Sequence, residues 1–455
     1  MTSIIIDIDG IDGTGKTTAV NALRNTYPNI KFNDRGIISK LTDIYDDDLP
    51  ETLPNVIDEH HYYIILDADP DVAVRRIYKR GPPVDKYDKY PSIYKYHNRC
   101  IRMAIKYGTY YIDTTKMDIP NVLINIMKII EQITKRKMDG NDYYNDPQPY
   151  ILPNPDNYSE QEFNCLPLVA EGCSKIIRAI DDKFTLIAYK PTVYSHKQQR
   201  EGVIPFTDKE RMEMTKNILY LFDIEQIPHA YVYIGKNYVL CKNLNPERDI
   251  PIIEVIVKKC CVGTDKYRYH MLDKRISRFG YPIVDVDEKR EYPNYIVRYD
   301  YRNPNHTYTK KIDDASETIL DVSSFMDKKS EEKLLTDKSI TKKPKGDEVM
   351  CDDLADLFIN VNASKKLANK TFAVLDSHFK KMGIYFEDIC FMITTDGSMH
   401  YSEISQDCGR YKKIDEDKLT PLDKDVFRAG GSSPLVFEKW KQMTEITKAY
   451  VKSVY

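Results

Sequence analysis

The feature that most constrains this chain is the octet Gly10-Ile11-Asp12-Gly13-Thr14-Gly15-Lys16-Thr17. It lies between an apolar run at 3–9 and a segment of helical pattern at 16–26. It fits G-x-x-x-x-G-K-[ST] throughout. Glycines at these spacings let backbone N–H groups turn inward around anionic oxygens, and a helix starting at the loop adds a favourable field. Further short strands are predicted at 30–32, 62–66 and 110–112, with helices at 71–79, 92–107 and 117–135. The first of these helices follows Pro70, a favoured first-turn residue. Strands alternating with helices predict an α/β unit whose parallel sheet is covered on both faces.

The octet reads as the P-loop of a kinase-type domain. Gly10, Gly13, Gly15, Lys16, Thr17 and Thr18 are the candidate ATP-binding residues, with Lys16 reaching the β- and γ-phosphates and Thr17 holding Mg²⁺.

At 455 residues the chain is too long for one ordinary core. Composition shifts between 137 and 162, where Asp-Gly-Asn-Asp is followed by Pro147, Pro149, Pro153 and Pro155. No periodic element fits there, so 137–162 is read as a linker between domains at 1–136 and 163–455. The second domain reads as α+β. It has strands at 184–189, 231–234, 238–241 and 251–259, a helix at 208–223, one or two helices over 351–381 and a last helix at 434–452. Residues 391–394 and 399–404 flank Asp396-Gly397, a hairpin signal. The charged stretch 328–345 reads as a mobile loop.

A net charge of -3 supplies no bulk basic field, so no nucleic-acid partner is expected. No apolar run reaches the ~20 residues of a spanning helix, and no membrane partner is expected. The N-terminus lacks a basic signal-peptide region. Nine scattered cysteines without Cys-x-x-Cys argue against a disulfide framework or zinc site and suggest a reducing, cytoplasmic setting. A homo-oligomer is compatible with all of this.

Residues around the octet resemble the thymidylate kinase family of nucleoside monophosphate kinases. The family's loop reads Glu-Gly-x-Asp-Gly-x-Gly-Lys-Thr-Thr, and Asp9 to Thr18 follow it closely. The resemblance implies that Asp12 approaches the acceptor sugar. It makes Arg35, of the pair Asp34-Arg35, the residue that meets the acceptor phosphate. The segment Leu66 to Pro70 with Arg75, Arg76 and Arg80 looks like the entry to the family's lid, and 85–88 like a weakened lid motif. Gly13 is uncharged, so Arg76 or Arg80 would supply the lid cation. The chain departs from the family in having Gly36 after Arg35. It also lacks the Arg-Glu-Pro-Gly segment that grips the acceptor, so this is a trimmed kinase with an open acceptor identity.

Residues from about 166 onward resemble phosphoribosylaminoimidazole-succinocarboxamide synthase, or SAICAR synthetase, of purine biosynthesis. The matching segments are Glu254 to Lys258 with Gly263-Thr264, Ile227-Pro228-His229, Glu403 to Arg410, and Leu422 to Arg428. The resemblance implies a two-lobed α+β domain that uses ATP and Mg²⁺ to join aspartate to a ribonucleotide carboxylate. Lys175 then falls on a phosphate-binding strand and Lys242 on the adenine side. Lys258 and Thr264 hold the ribonucleotide, Arg410 serves catalysis, and Asp388 and Glu403 face the metal. Asp388, Glu403 and Ser405 share one face if the hairpin has a two-residue turn. Cys173, Cys390, Met392 and Ser402 stand where the family carries charged residues.

The expectation is a bifunctional enzyme of nucleotide metabolism, kinase plus carbon–nitrogen ligase, acting on nucleotide substrates and aspartate. Two alternatives stay open. Both halves could act on one modified nucleotide, or the second half could be a nucleotide-binding scaffold that has lost catalysis.

Overall fold

The computed structural model describes residues 4–45, 48–53, 60–81, 88–139, 150–195, 200–263, 291–301, 349–416 and 418–454. The first half is an α/β unit. Its elements are β1 (Ile4–Gly10), α1 (Lys16–Thr26), β2 (Ile30–Asp34), α2 (Ile37–Leu41), β3 (His61–Asp67), α3 (Pro70–Arg80), α4 (Tyr90–Tyr107), β4 (Tyr110–Asp113) and α5 (Ile119–Asp139). The four strands are parallel in the order β2-β1-β3-β4.

Alternation along the strands sorts the side chains. Ile4, Ile6, Ile8, Ile64 and Leu66 pack with residues of α1 and α5. Tyr63 and Ile65 pack instead with Ile38 of α2 and Ile93, Cys100 and Met103 of α4. Asp7 and Asp9 alternate with Ile6 and Ile8, so they join this second face. Helix α3 starts as the sequence implies: Asp69 Oδ1 accepts from the N–H groups of Asp71 and Val72, and Pro70 fills the first turn. Gly108, at φ 60°, ends α4.

From Tyr150 the stretch expected to link the halves is ordered. Tyr111 N–H donates to Tyr150 O at 2.6 Å, and Ile151 bridges Tyr110. Ile151 lies extended at the sheet edge, and Pro155 opens a short 3-10 helix, Pro155–Asn157, at whose first position the missing N–H costs no bond. Ser159 and Glu162 form a capping box that opens α6 (Glu160–Cys165).

The second half holds two large antiparallel sheets. The first has the order β10-β11-β7-β6-β5, from β5 (Leu168–Glu171), β6 (Lys175–Ala179), β7 (Phe184–Tyr189), β10 (Tyr231–Ile234) and β11 (Tyr238–Lys242). A separate hairpin joins β8 (Thr192–Ser195) to β9 (Arg200–Val203), and α7 (Thr207–Glu225) follows it. The second sheet has the order β14-β13-β12-β15-β16-β17, from β12 (Ile253–Cys260), β13 (Glu291–Tyr301), β14 (Val349–Met350), β15 (Ile384–Phe391), β16 (Gly409–Asp415) and β17 (Lys418–Pro421). Helices α8 (Asp352–Ala355), α9 (Val361–Lys381), α10 (Asp425–Arg428) and α11 (Ser433–Val454) complete it. The stretch 328–345 lies outside the described residues.

The Asp396-Gly397 turn forms, with Thr394 N–H donating to Met399 O and Tyr401 N–H to Met392 O, both at 3.0 Å. The pairing does not extend to Glu403, as the hairpin reading expects. His400 is drawn toward the other sheet, donating to Pro228 O at 3.0 Å and accepting from Ala230 N–H at 2.8 Å. The partner of β15 is β16, which sets Asp388 opposite Arg410. Asp388 and Glu403 therefore do not share a hairpin face.

Helix α4 joins the halves. Tyr94 donates to Ile227 O at 3.3 Å and Asn98 to Asp223 Oδ1 at 2.7 Å, while Arg102 pairs with Asp223. Ile105 enters a core cluster with Leu186, Tyr238 and Leu240 of the second half. Among the described residues, no helix is long and apolar enough to cross a membrane.

Candidate functional site

The glycine loop sits at the C-terminal end of β1. Gly10, Gly13 and Gly15 have φ of 129°, 84° and 88°. A Cβ on Gly10 would stand 1.7 Å from the Leu66 carbonyl oxygen. Lys16 is buried and folded back, donating to Ile11 O at 2.6 Å, with Asp12 Oδ1 3.5 Å away. Burial pushes its ammonium pKa down, and Asp12 partly offsets this. Arg35 Nη2 reaches the same Asp12 oxygen at 2.9 Å from a left-handed backbone, φ 62°. Such a backbone costs of order 1 kcal/mol in a non-glycine residue. Thr17 donates to Asp34 Oδ2 at 2.7 Å, while Asp34 Oδ1 is buried without a partner. Thr18 is exposed on the first turn of α1.

The structure thus brings Asp12, Lys16, Thr17 and Arg35 together. Neighbouring ends of parallel strands do this, because β2 pairs with β1 and delivers Asp34-Arg35 to the loop. A glycine-rich turn at the start of an eleven-residue helix, with two cations beside it, can hold a polyphosphate. Thr17 and the free Asp34 oxygen are hard oxygen donors that fit Mg²⁺.

The lid cations lie elsewhere. Arg76 donates to the carbonyls of Thr114, Thr115 and Met117 and so braces the turn before α5. Arg80 is exposed at the end of α3, 3.4 Å from Asp88. Residues 82–87, with most of the expected lid motif, lie outside the described residues. Gly36 packs on Asp7, where a Cβ would stand 2.1 Å from Oδ2, so the family's aromatic has no room there.

In the second half the predicted residues form two buried charge clusters. In one, Lys258 Nζ and Arg410 Nη1 both lie 2.6 Å from Asp388 Oδ2. Burial works against the Asp388 charge, but Arg410 and Lys258 hold its carboxyl well below the usual range. Arg410 also meets Asp425, which Lys412 and Arg428 hold as well. In the other, Arg211 holds both oxygens of Glu403, and Lys175 stands 3.0 Å from Oε1. Lys175 also donates to Ser402 at 3.0 Å and lies over the Tyr189 ring. Lys242 ends β11 and is exposed. Thr264 lies outside the described residues.

This arrangement does not fit Mg²⁺ on Asp388 or Glu403. Each carboxylate is already neutralised by two cations of the chain, and a divalent ion would stand against them. Among the described residues, no group of three or more His, Cys, Asp or Glu is arranged to hold a metal ion.

Sequence reasoning missed Arg211, Asp34 as the partner of Thr17, and buried Asp67 with half-buried His97 2.9 Å from it. An acidic residue ending an apolar strand beside the loop was the available signal for Asp67. The lone arginine of α7 carried none.

No protein-family model matches the chain. Over 99% of its length it is 25% identical to the bifunctional cordycepin biosynthesis cluster protein 3 of Cordyceps militaris, and the match spans 60% of that protein. The chain therefore spans less than two thirds of this relative. Among solved structures, it is similar to phosphoribosylaminoimidazole-succinocarboxamide synthase from Ehrlichia chaffeensis, with 17% identity, 62% of this chain and 98% of that one covered, and a TM-score of 0.41. SAICAR synthetase from Pyrococcus horikoshii gives 19% identity, 61% and 98% coverage and a TM-score of 0.40. The Saccharomyces cerevisiae SAICAR synthase complexed with SAICAR gives 15%, 63% and 94%, and 0.40.

Proposed function

We propose that the chain is a bifunctional enzyme of nucleotide metabolism. Residues 1–136 are a thymidylate kinase-like phosphotransferase, 163–455 a SAICAR synthetase-like ATP-dependent ligase, and 137–162 join them. The observation that carries the first assignment is the convergence of Asp12, Lys16, Thr17 and Arg35 on one glycine loop at a parallel-sheet edge. Lys16 and Arg35 would leave Asp12 for the triphosphate and stabilise charge as it develops on the transferred group. Mg²⁺ bound at Thr17 and Asp34 would neutralise phosphate charge. The relative from Cordyceps militaris is itself described as bifunctional.

In the second half, Lys258 and Arg410 rest on Asp388 and are the cations available to an anionic ribonucleotide. The proposed reaction forms an amide from a carboxylate and the amine of aspartate, with ATP converted to ADP and phosphate. A scaffold without ligase chemistry is the second reading. It is favoured by the neutralisation of Asp388 and Glu403 within the chain, which leaves the proposed metal carboxylates engaged.

A mass-spectrometric product screen tests both. The whole chain is offered MgATP, nucleoside monophosphates, carboxyaminoimidazole ribotide and aspartate. Succinocarboxamide product supports the ligase. Its absence, together with no MgATP binding to a Lys16→Ala chain by calorimetry, supports the scaffold. Undiminished ADP formation at the first site in Lys16→Ala would sink the phosphotransferase assignment.

A further inference from the structure

Asp9 and Asp67 stand on adjacent parallel strands. Asp9 pairs with Ile65, so both aspartates project from one sheet face, the face under α2 and α4. Both are fully buried, at 0% exposure. Each has its close hydrogen bonds on one oxygen only, although the Gly36 N–H also favours the Asp9 charge. Ser39 donates its N–H at 3.1 Å and its hydroxyl at 2.5 Å to Asp9 Oδ1. Tyr111 donates to Asp67 Oδ2 at 2.8 Å, and His97 Nδ1 lies 2.9 Å from the same atom. Asp9 Oδ2 and Asp67 Oδ1 have no hydrogen-bond partner. Cys100 of α4 packs on this same face with Tyr63 and Ile65.

A buried acceptor without a donor carries a desolvation penalty, and an ionised carboxylate can only accept. The missing donors are O–H or N–H groups. A phosphate dianion has none to offer and meets like charge. The cations tell the same story. Among the described residues touching the loop, the cations are Lys16 and Arg35, and a transferring triphosphate engages both. Arg76 and Arg80 are directed to the Thr114–Met117 turn and to Asp88.

Resting on the phosphotransferase reading above, we propose that the acceptor is an uncharged, hydroxyl-bearing nucleoside, not a nucleoside monophosphate, with its hydroxyls donating to Asp9 Oδ2 and Asp67 Oδ1. The acceptor oxygen bonds to the γ-phosphorus as the bond from that phosphorus to the β–γ bridging oxygen breaks. ADP leaves with the electron pair. The hydroxyl proton passes to Asp9 and then to solvent. Burial raises the Asp9 carboxyl pKa, which suits it to take up that proton.

The test gives the whole chain MgATP with a panel of nucleosides and their 5′-monophosphates, following ADP and phosphorylated product. At least one nucleoside is expected to exceed its monophosphate in kcat/KM by about 100-fold or more. Asp9→Asn should lower transfer to that nucleoside by about 100-fold while calorimetric MgATP affinity stays within about two-fold. Asp67→Asn serves the same purpose if the first variant does not fold. Turnover of monophosphates with nucleosides untouched overturns the inference and leaves the phosphotransferase reading standing. No ADP with either class overturns that reading and the inference with it.

Discussion

Arg211 holds Glu403 by both carboxylate oxygens, Nε donating to Oε2 at 2.8 Å and Nη2 to Oε1 at 2.5 Å, and both side chains are buried. The pair fixes the N-terminal part of α7 against the segment that follows the Asp396-Gly397 turn. Glu403→Gln leaves a buried guanidinium uncompensated and should cost about 3–5 kcal/mol. Arg211→Met strands the carboxylate, with only Lys175 and Ser405 beside it, and should cost a similar amount. The double variant Arg211→Met/Glu403→Gln should regain most of the loss. Urea midpoints of the four proteins form the cycle, and strictly additive losses would contradict the coupling.

Gly10 has a role no side chain can share. Its φ of 129° is strained for any L-residue, and a Cβ would strike Leu66 O. Gly10→Ala should cost about 3 kcal/mol or more, because β1 must part from β3. Gly81, also at positive φ but facing open space, is the control. Its alanine variant should lose only about 1 kcal/mol. Equal melting temperatures for the two variants would show that the close approach is not what requires glycine at position 10.

Helix α4 predicts a coupling between the halves. Asp223 accepts from Asn98, pairs with Arg102 and lies 3.5 Å from His229, all buried or nearly so. Asp223→Leu removes the one anion in this group and leaves the Arg102 charge facing an apolar neighbour, a loss of about 3–5 kcal/mol. The native chain should unfold in one calorimetric transition and the variant in two. A single, undisplaced transition in the variant would refute the coupling.

The parallel-sheet half was legible because its signals are local. The apolar period at 16–26 returns as α1 over Lys16–Thr26, and Pro70 opens α3 where expected. What stayed hidden depends on register. Asp34 meets Thr17 only because β2 pairs with β1, and nothing within either segment says so. Arg211 lies on a helix buried around much of its circumference, so its sequence shows no polar face to single the arginine out. Arg76 has a lid-like spacing but a bracing role, since its fork matches the carbonyls of a turn 38 to 41 positions later. The hairpin reading failed at Glu403 because a turn signal describes its own four residues. It is blind to the pull that Pro228 and Ala230 exert on His400.

The same charge clusters set how stability depends on pH. Glu387, beside Asp388 on β15, is 1% exposed, and its Oε1 has no partner. Burial pushes its carboxyl up to about 7, against an ordinary 4.5, despite Lys412. Its folded pKa lies above the unfolded one, so its contribution is full below about pH 4.5 and is lost as pH rises through 7, by about 3 kcal/mol in all. Asp388 and Glu403 act oppositely. Arg410 and Lys258 hold the first low, Arg211 and Lys175 the second, so their contribution is present above pH 4 and lost as pH falls below it. Stability should peak near pH 5 and decline toward pH 8. Glu387→Gln, which stays neutral, should flatten the decline and be the more stable protein at pH 8. Urea midpoints at pH 5, 6, 7 and 8 decide it, and parallel curves for the two proteins would show that Glu387 ionises without cost.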